Sequence, residues 1–292
     1  MSIWEAILLG VVQGLTEFLP ISSTAHLLVT RKLLGHAHPE DAFTVVIQLG
    51  TLVAVFIYFR ADVARLLAGL WADIRAFRIA STPDSRLGWL IVLGTVPAVL
   101  VGFTLKSWLK ATFTQLLPIA VVSISFALLM LAAEWWAACR IRRGLPAKGE
   151  SELGWRESLC VGFWQACALM PGGSRSGTTI TGGLFAGLSR QTAARFSFLL
   201  SLPVILGAGL KELYDEYKKL RVPNPDEAAS LFASGDDMAS LVVGTVVSAV
   251  VGYLAIAFLL RFLQFHTMTV FVVYRVLLGL VILGLLATNV VT

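Results

Sequence analysis

At 57% hydrophobic and 14% charged, with a mean hydropathy of +0.80, this 292-residue chain is far more apolar than a soluble domain, for which about 25% charge is usual. It reads as a polytopic helical membrane protein. A formal net charge of +5, with no basic cluster interleaved with aromatics, excludes a nucleic-acid partner. Three cysteines (Cys139, Cys160, Cys167) and four histidines show no metal-ligand spacing, and the cysteines read as small core residues.

The N-terminus opens without a basic region and its first charge is Glu5, so no cleaved signal peptide is expected. Two apolar pieces follow, Ile3 to Leu19 and Ile21 to Leu34, each short of the roughly 20 residues a membrane crossing needs. They flank a polar break, Gln13 to His26, and predict a re-entrant helical hairpin over about 3–34. Three full spans are predicted next, at about 43–59, 88–105 and 116–139, the last holding one charge, Glu134. The 60–87 and 140–155 segments read as loops. A second hairpin is predicted over about 156–188, from Leu159 to Met170 and Thr178 to Leu188, around the polar break Gln165 to Thr178. Three more spans close the chain at about 196–213, 239–260 and 269–290, with Arg275 the only charge in the last.

The two halves align. Gly10, Gln13 and Pro20 correspond to Gly162, Gln165 and Pro171; Phe43 corresponds to Phe196; Gly94-Thr95-Val96 corresponds to Gly244-Thr245-Val246. The offset stays between 150 and 153 residues. The chain thus reads as a duplication, with one repeat in about 1–145 and another in about 155–292, forming one membrane domain. Three spans per repeat is odd, which demands inverted topology, with the broken helices meeting at the midplane. Loop charge sets the orientation. Thirteen basic residues, mostly in short loops, fall on the side of the 60–87 and 140–155 loops, against eight on the other. By the positive-inside rule those loops are cytoplasmic. Both termini, the 105–115 turn and the acidic 211–238 loop then face outward.

The breaks carry the chemistry. Ser22, Ser23 and Thr24 follow Pro20 and open one half-helix; Ser174 and Ser176 follow Pro171 and open another. Ser and Thr are good N-caps, and helix starts offer free N–H groups and partial positive charge that suit phosphate. Arg175 adds a planar guanidinium, and Gly172, Gly173 and Gly177 permit close backbone approach, with Thr178 beside them. The second break therefore reads as an anion clamp. In the first, Glu17 lies four residues after Gln13, on one helix face, and Ser23 and His26 share the next. A buried carboxylate beside His and Ser can serve as base or activate a hydroxyl. Glu17 could also hold a divalent cation, since Mg²⁺ uses one or two carboxylates plus phosphate oxygens. The competing reading makes Glu17 and Arg175 a structural ion pair that locks the hairpins. Arg275 is open between a second phosphate, Glu134 and a carbonyl. His36, His38 and His266 read as solvated loop-edge residues.

At these residues the chain resembles the bacterial undecaprenyl pyrophosphate phosphatase family, the integral-membrane type linked to bacitracin resistance. That family's Glu/Gln-x-x-x-Glu segment runs into Pro-x-Ser-Ser-x-x-His, here Gln13 to Glu17, then Pro20, Ser22, Ser23 and His26. Its Pro-Gly-x-Ser-Arg-Ser-Gly-x-Thr stands here as Pro171 to Thr179. Gln13 replaces the Glu of many members, and Ala25 stands where Gly is common. The resemblance covers essentially the whole chain. It implies dephosphorylation of undecaprenyl pyrophosphate to the monophosphate carrier of cell-wall synthesis. It also implies dependence on Mg²⁺ or Ca²⁺, a bacterial inner-membrane location and a site open to the outer, periplasmic face. Glu17, Ser23, His26 and Arg175 are its key residues. Ser23, His26 or a water fits as nucleophile. A prenyl-phosphate transporter or flippase is the alternative, and a second copy of the chain is kept as a candidate partner.

Overall fold

The computed structural model describes residues 1–35, 42–221 and 235–288. Within them the chain is helical, and the sole strand-like pairing is a parallel bridge between Lys148 and Leu188. The helices are α1 (Ile3–Phe18), α2 (Ser23–Leu33), α3 (Ala42–Tyr58), α4 (Arg60–Arg75), α5 (Pro83–Phe113), α6 (Leu116–Arg142), α7 (Trp155–Cys167), α8 (Arg175–Phe185), α9 (Arg190–Arg221), α10 (Gly235–Phe265) and α11 (Thr269–Ala287).

Local sequence sets the helix ends. Ser2 and Glu5 form a capping box for α1, and Thr82 and Ser85 form one for α5, with Pro83 at its first position. Pro20 stops α1, and Leu19 before it takes extended backbone, as the residue ahead of a proline favours. Among the described residues, five helices are long and apolar enough to cross a membrane: α5, α6, α9, α10 and α11. The predicted 43–59 span is α3, 17 residues long, and it reaches spanning length only together with α4, which bends away from it by 82°. Phe103, Leu128, Val250, Leu254 and Leu280 are exposed on the long helices, the surface a lipid-facing bundle presents.

The 60–87 loop is corrected: its first half is α4. Its apolar residues Val63, Leu66, Leu67, Leu70 and Ile74 recur at helical spacing, but interleaved charges keep its average hydropathy low. Val63 and Leu66 are buried, and α4 docks on α5 where Gly69 meets Ser85 and Gly88 meets Leu70. The predicted 105–115 turn and 211–238 loop are also corrected: α5 continues to Phe113, α9 continues through 211–221 and α10 starts at Gly235, because their charged and polar residues lower the hydropathy without breaking the helix. His36, His38, residues 222–234 and the end of the 269–290 span lie outside the described residues.

Packing crosses between the halves. The first helix of each half lies against the long helix of the other: α1 on α10, and α7 on α5. The glycines that align in sequence make these contacts. A Cβ on Gly10 would lie 2.6 Å from the Gly244 carbonyl oxygen, and one on Gly162 would lie 2.4 Å from that of Gly94. Small residues let helix backbones approach this closely, which is what membrane helices use in place of hydrophobic drive.

One end of the bundle is laced by charge. Glu134, buried on α6, accepts from Arg190 Nε at 3.0 Å and Nη2 at 2.5 Å, and from the Met268 backbone N–H at 2.9 Å, tying α6, α9 and the start of α11 together. Arg195 bridges Asp62 (2.8 Å) and Glu150 (3.2 Å), and Lys148 pairs with Glu157 (2.5 Å).

Candidate functional site

The two breaks fold alike. Ser22 caps α2 with φ 74°, ψ 98°, and Ser174 caps α8 with φ 63°, ψ 105°. Neither is glycine, and such backbone is strained by about 1–3 kcal/mol per residue, a cost that clusters at functional sites. Each Ser hydroxyl accepts from the N–H three residues on, Ala25 at 3.5 Å and Gly177 at 3.3 Å. Gly172, φ 93°, is required where it stands: a Cβ there would lie 2.6 Å from the Ile119 carbonyl oxygen.

The breaks also meet. Arg175 Nη2 donates to Glu17 Oε1 at 3.0 Å. Glu17 Oε2 accepts from Ser23 Oγ at 2.9 Å and from Gln13 Nε2 at 3.1 Å. Ser176 Oγ donates to the Leu19 carbonyl at 3.1 Å, and Pro20 abuts Gly177. Gln13, Glu17, Ser23 and Arg175 thus form one connected cluster, with Glu17 at its centre and only 6% exposed. Arg175 is steadied by the Ser197 carbonyl (3.4 Å) and lies over the Phe18 ring at 6.0 Å. Gln13 Oε1 is buried without a hydrogen-bond partner.

The remaining predicted residues divide. Ser174 and Ser176 hydroxyls lie 3.4 Å apart at the start of α8. Thr178 donates to the Gly173 carbonyl at 2.8 Å, so its hydroxyl serves the turn. Thr24 is half-buried on the first turn of α2. His26 is engaged elsewhere: Nδ1 meets the Ser22 carbonyl at 2.7 Å and must carry the proton, since a carbonyl only accepts. Its Nε2 then accepts from the Tyr274 hydroxyl at 2.6 Å in the neutral ring. Ser23 therefore has Glu17, not His26, as its hydrogen-bond partner.

Sequence reading missed Tyr274 and Ser197. Ser197 bonds Thr179 at 2.5 Å behind Arg175. Neither stands in a polar run, and only the fold brings them in. Arg275, the lone charge in its span, was the visible signal. It does not reach Glu134, which is taken by Arg190, and instead donates to the Gly172 carbonyl at 2.9 Å. In the second half, Leu169 follows Gln165 by four residues, where Glu17 follows Gln13. The duplicated scaffold thus carries one carboxylate, not two. Among the described residues no three His, Cys, Asp or Glu side chains converge. The oxygens at hand for a cation are those of Glu17 and the free Gln13 Oε1.

Fold and site together define an all-helical, multi-pass membrane protein with a buried acid–hydroxyl–guanidinium centre where two helix breaks touch. Residues 6–281 match the family described as bacitracin resistance protein BacA, and the chain belongs to that family. It is 46% identical over 289 residues to the undecaprenyl-diphosphatase of Prosthecochloris aestuarii, covering 99% of both chains. It is similarly 46% identical to that of Chlorobium phaeobacteroides strain BS1, again over 99% of both chains, and 45% identical to that of Chloroherpeton thalassium over 98% of both.

Proposed function

We propose that this protein hydrolyses undecaprenyl pyrophosphate to undecaprenyl phosphate and inorganic phosphate, recycling the lipid carrier of cell-wall synthesis. Relatives bearing the name undecaprenyl-diphosphatase match over 99% of both chains. One observation carries the mechanism: Ser23 Oγ donates to Glu17, whose other oxygen is held by Arg175 from the opposite break.

The pyrophosphate lies between the two half-helix starts, held by Arg175, Ser174, Ser176 and backbone N–H groups, with the prenyl tail among the lipid-facing helices. Ser23 Oγ attacks the terminal phosphorus as its proton passes to Glu17. The bond from that phosphorus to the bridging oxygen breaks, and undecaprenyl phosphate departs. Glu17 passes its proton to the departing prenyl phosphate. As a carboxylate again it deprotonates a water, whose oxygen attacks the phosphorus and breaks its bond to Ser23 Oγ, which takes back the proton as inorganic phosphate leaves. Arg175 meets the charge on the phosphoryl oxygens, the main burden in phosphoryl transfer. Glu17 and Gln13 Oε1 would hold a Mg²⁺ or Ca²⁺ ion, which would add further neutralisation of phosphate charge there.

The same reading places the chain in the bacterial inner membrane as two inverted repeats, about 1–145 and 155–292, each opening with a re-entrant hairpin. The reciprocal Gly10–Gly244 and Gly162–Gly94 contacts and the matched Ser22 and Ser174 caps support it. The loop charges favour a site facing the periplasm. Purified protein in detergent should release phosphate from undecaprenyl pyrophosphate. No release, with prenyl-phosphate transport in liposomes, would replace the enzyme with a transporter.

A further inference from the structure

Arg275 on α11 is fully buried, yet its guanidinium is only partly used. Nη2 donates to the Gly172 carbonyl at 2.9 Å, while Nε and Nη1 are buried and have no hydrogen-bond partner. Nη1 lies 3.0 Å from the point a Cβ on Gly177 would take, and Ser174 Oγ lies 3.2 Å from the same point. Nη1, one of these two unmet donors, therefore sits against the first turn of α8, where the Gly177 N–H is taken by Ser174 Oγ and the helix start carries partial positive charge that suits an anion. No carboxylate answers them: Glu17 is held by Arg175, and Glu134 by Arg190 and the Met268 N–H. A cation with unmet donors inside a bilayer is costly to keep. An arriving anion removes that cost.

A diphosphate ester has two phosphates, and the cluster around Ser23 and Arg175 serves one of them. We infer that Arg275, with the first turn of α8, binds the other: the ester phosphate that stays on the prenyl product. This inference rests on the hydrolase reading above and assigns the product-side half of its site. The prenyl monophosphate then leaves from Arg275, and inorganic phosphate from Arg175. Arg275 thereby sets the affinity for product as well as for substrate.

The test is calorimetric binding of a short-chain prenyl monophosphate to purified protein in detergent, with saturating inorganic phosphate present to fill the Arg175 side. Inorganic phosphate alone is titrated as the control. For Arg275→Gln, prenyl monophosphate affinity should fall about 10–100-fold, the range for a lost charged hydrogen bond. Inorganic phosphate affinity should stay within about twofold, since Arg175 and its partners are untouched. Arg275→Lys, which keeps the charge but loses the guanidinium fork, should weaken the monophosphate in the same selective way and carries the test if Arg275→Gln does not fold. Unchanged monophosphate affinity in either folded variant overturns the inference. So does equal weakening of both ligands, which marks Arg275 as a support of the fold. Because binding is read without turnover, these outcomes are separate from a wild type that releases no phosphate, which would instead overturn the hydrolase reading.

Discussion

Arg175→Ala isolates the contact that joins the two breaks. The wild-type pair is 3.0 Å apart with side chains 14% and 5% exposed, so solvent screening is slight. Removing the guanidinium leaves the Glu17 carboxylate buried with only the Ser23 and Gln13 donors. Breaking a buried pair from one side costs about 3–5 kcal/mol. Loss of the cation over Phe18 adds about 0.5–1 kcal/mol. At about 2–4 °C per kcal/mol for a chain of this order, the unfolding midpoint should drop by roughly 7–24 °C. Glu17→Gln with Arg175→Met removes both charges and should regain most of that stability, because no uncompensated charge remains. Activity should not return: both variants should fall at least about 100-fold in kcat/KM, the scale of one lost transition-state donor. Thermal unfolding in detergent and phosphate release, measured on the same preparations, read the two effects. A double variant that recovers both stability and turnover would refute the reasoning and make the pair a structural lock. A single variant as stable as wild type would refute the buried-pair geometry.

Ser23→Ala should abolish turnover while His26→Ala retains part of it, since Ser23 bonds Glu17 and His26 bonds Ser22 and Tyr274; near-normal turnover by Ser23→Ala in a phosphate-release assay, with His26→Ala dead, makes the serine nucleophile wrong. Gly162→Ala, with its methyl 2.4 Å from the Gly94 carbonyl, should destabilise by about 1–3 kcal/mol in thermal unfolding. Gly284→Ala on α11, with nothing within 4 Å, should instead stabilise by about 0.5–1 kcal/mol, and equal shifts would contradict the close helix crossing. Glu134→Gln should lower stability by about 1–3 kcal/mol, leaving Arg190 and the Met268 N–H less well met, with kcat within about twofold of wild type; a large loss of kcat would place that clamp in the reaction.

Much of this was legible in the sequence because a bilayer allows few solutions. Runs near spanning length with at most one charge became α5, α6, α10 and α11, and Pro20 marked the end of α1 as written. The 150-residue offset marked equivalent glycines, and the fold packs them crosswise, Gly10 on Gly244 and Gly162 on Gly94. α4 escaped because its charges masked a helical period, and hydropathy averages see the former first. Glu17, Ser23 and Arg175 were visible as polar groups where lipid tolerates few. The Glu17–Arg175 contact was legible only as the competing ion-pair reading, because 158 residues separate the two and only tertiary packing closes that distance. Tyr274 and Ser197 were invisible for the same reason: a tyrosine or serine on an apolar helix is commonplace until a half-buried histidine or arginine lies beside it.

The central claim is that the two breaks form one phosphate-processing site organised by Glu17. Phosphate release from undecaprenyl pyrophosphate by wild type and by Glu17→Gln, each with and without a chelator, tests it most directly. Wild type should turn over, stop with chelator and recover with Mg²⁺ or Ca²⁺, while Glu17→Gln should fall at least about 100-fold in every condition. Wild-type rates from a folded Glu17→Gln would contradict the account.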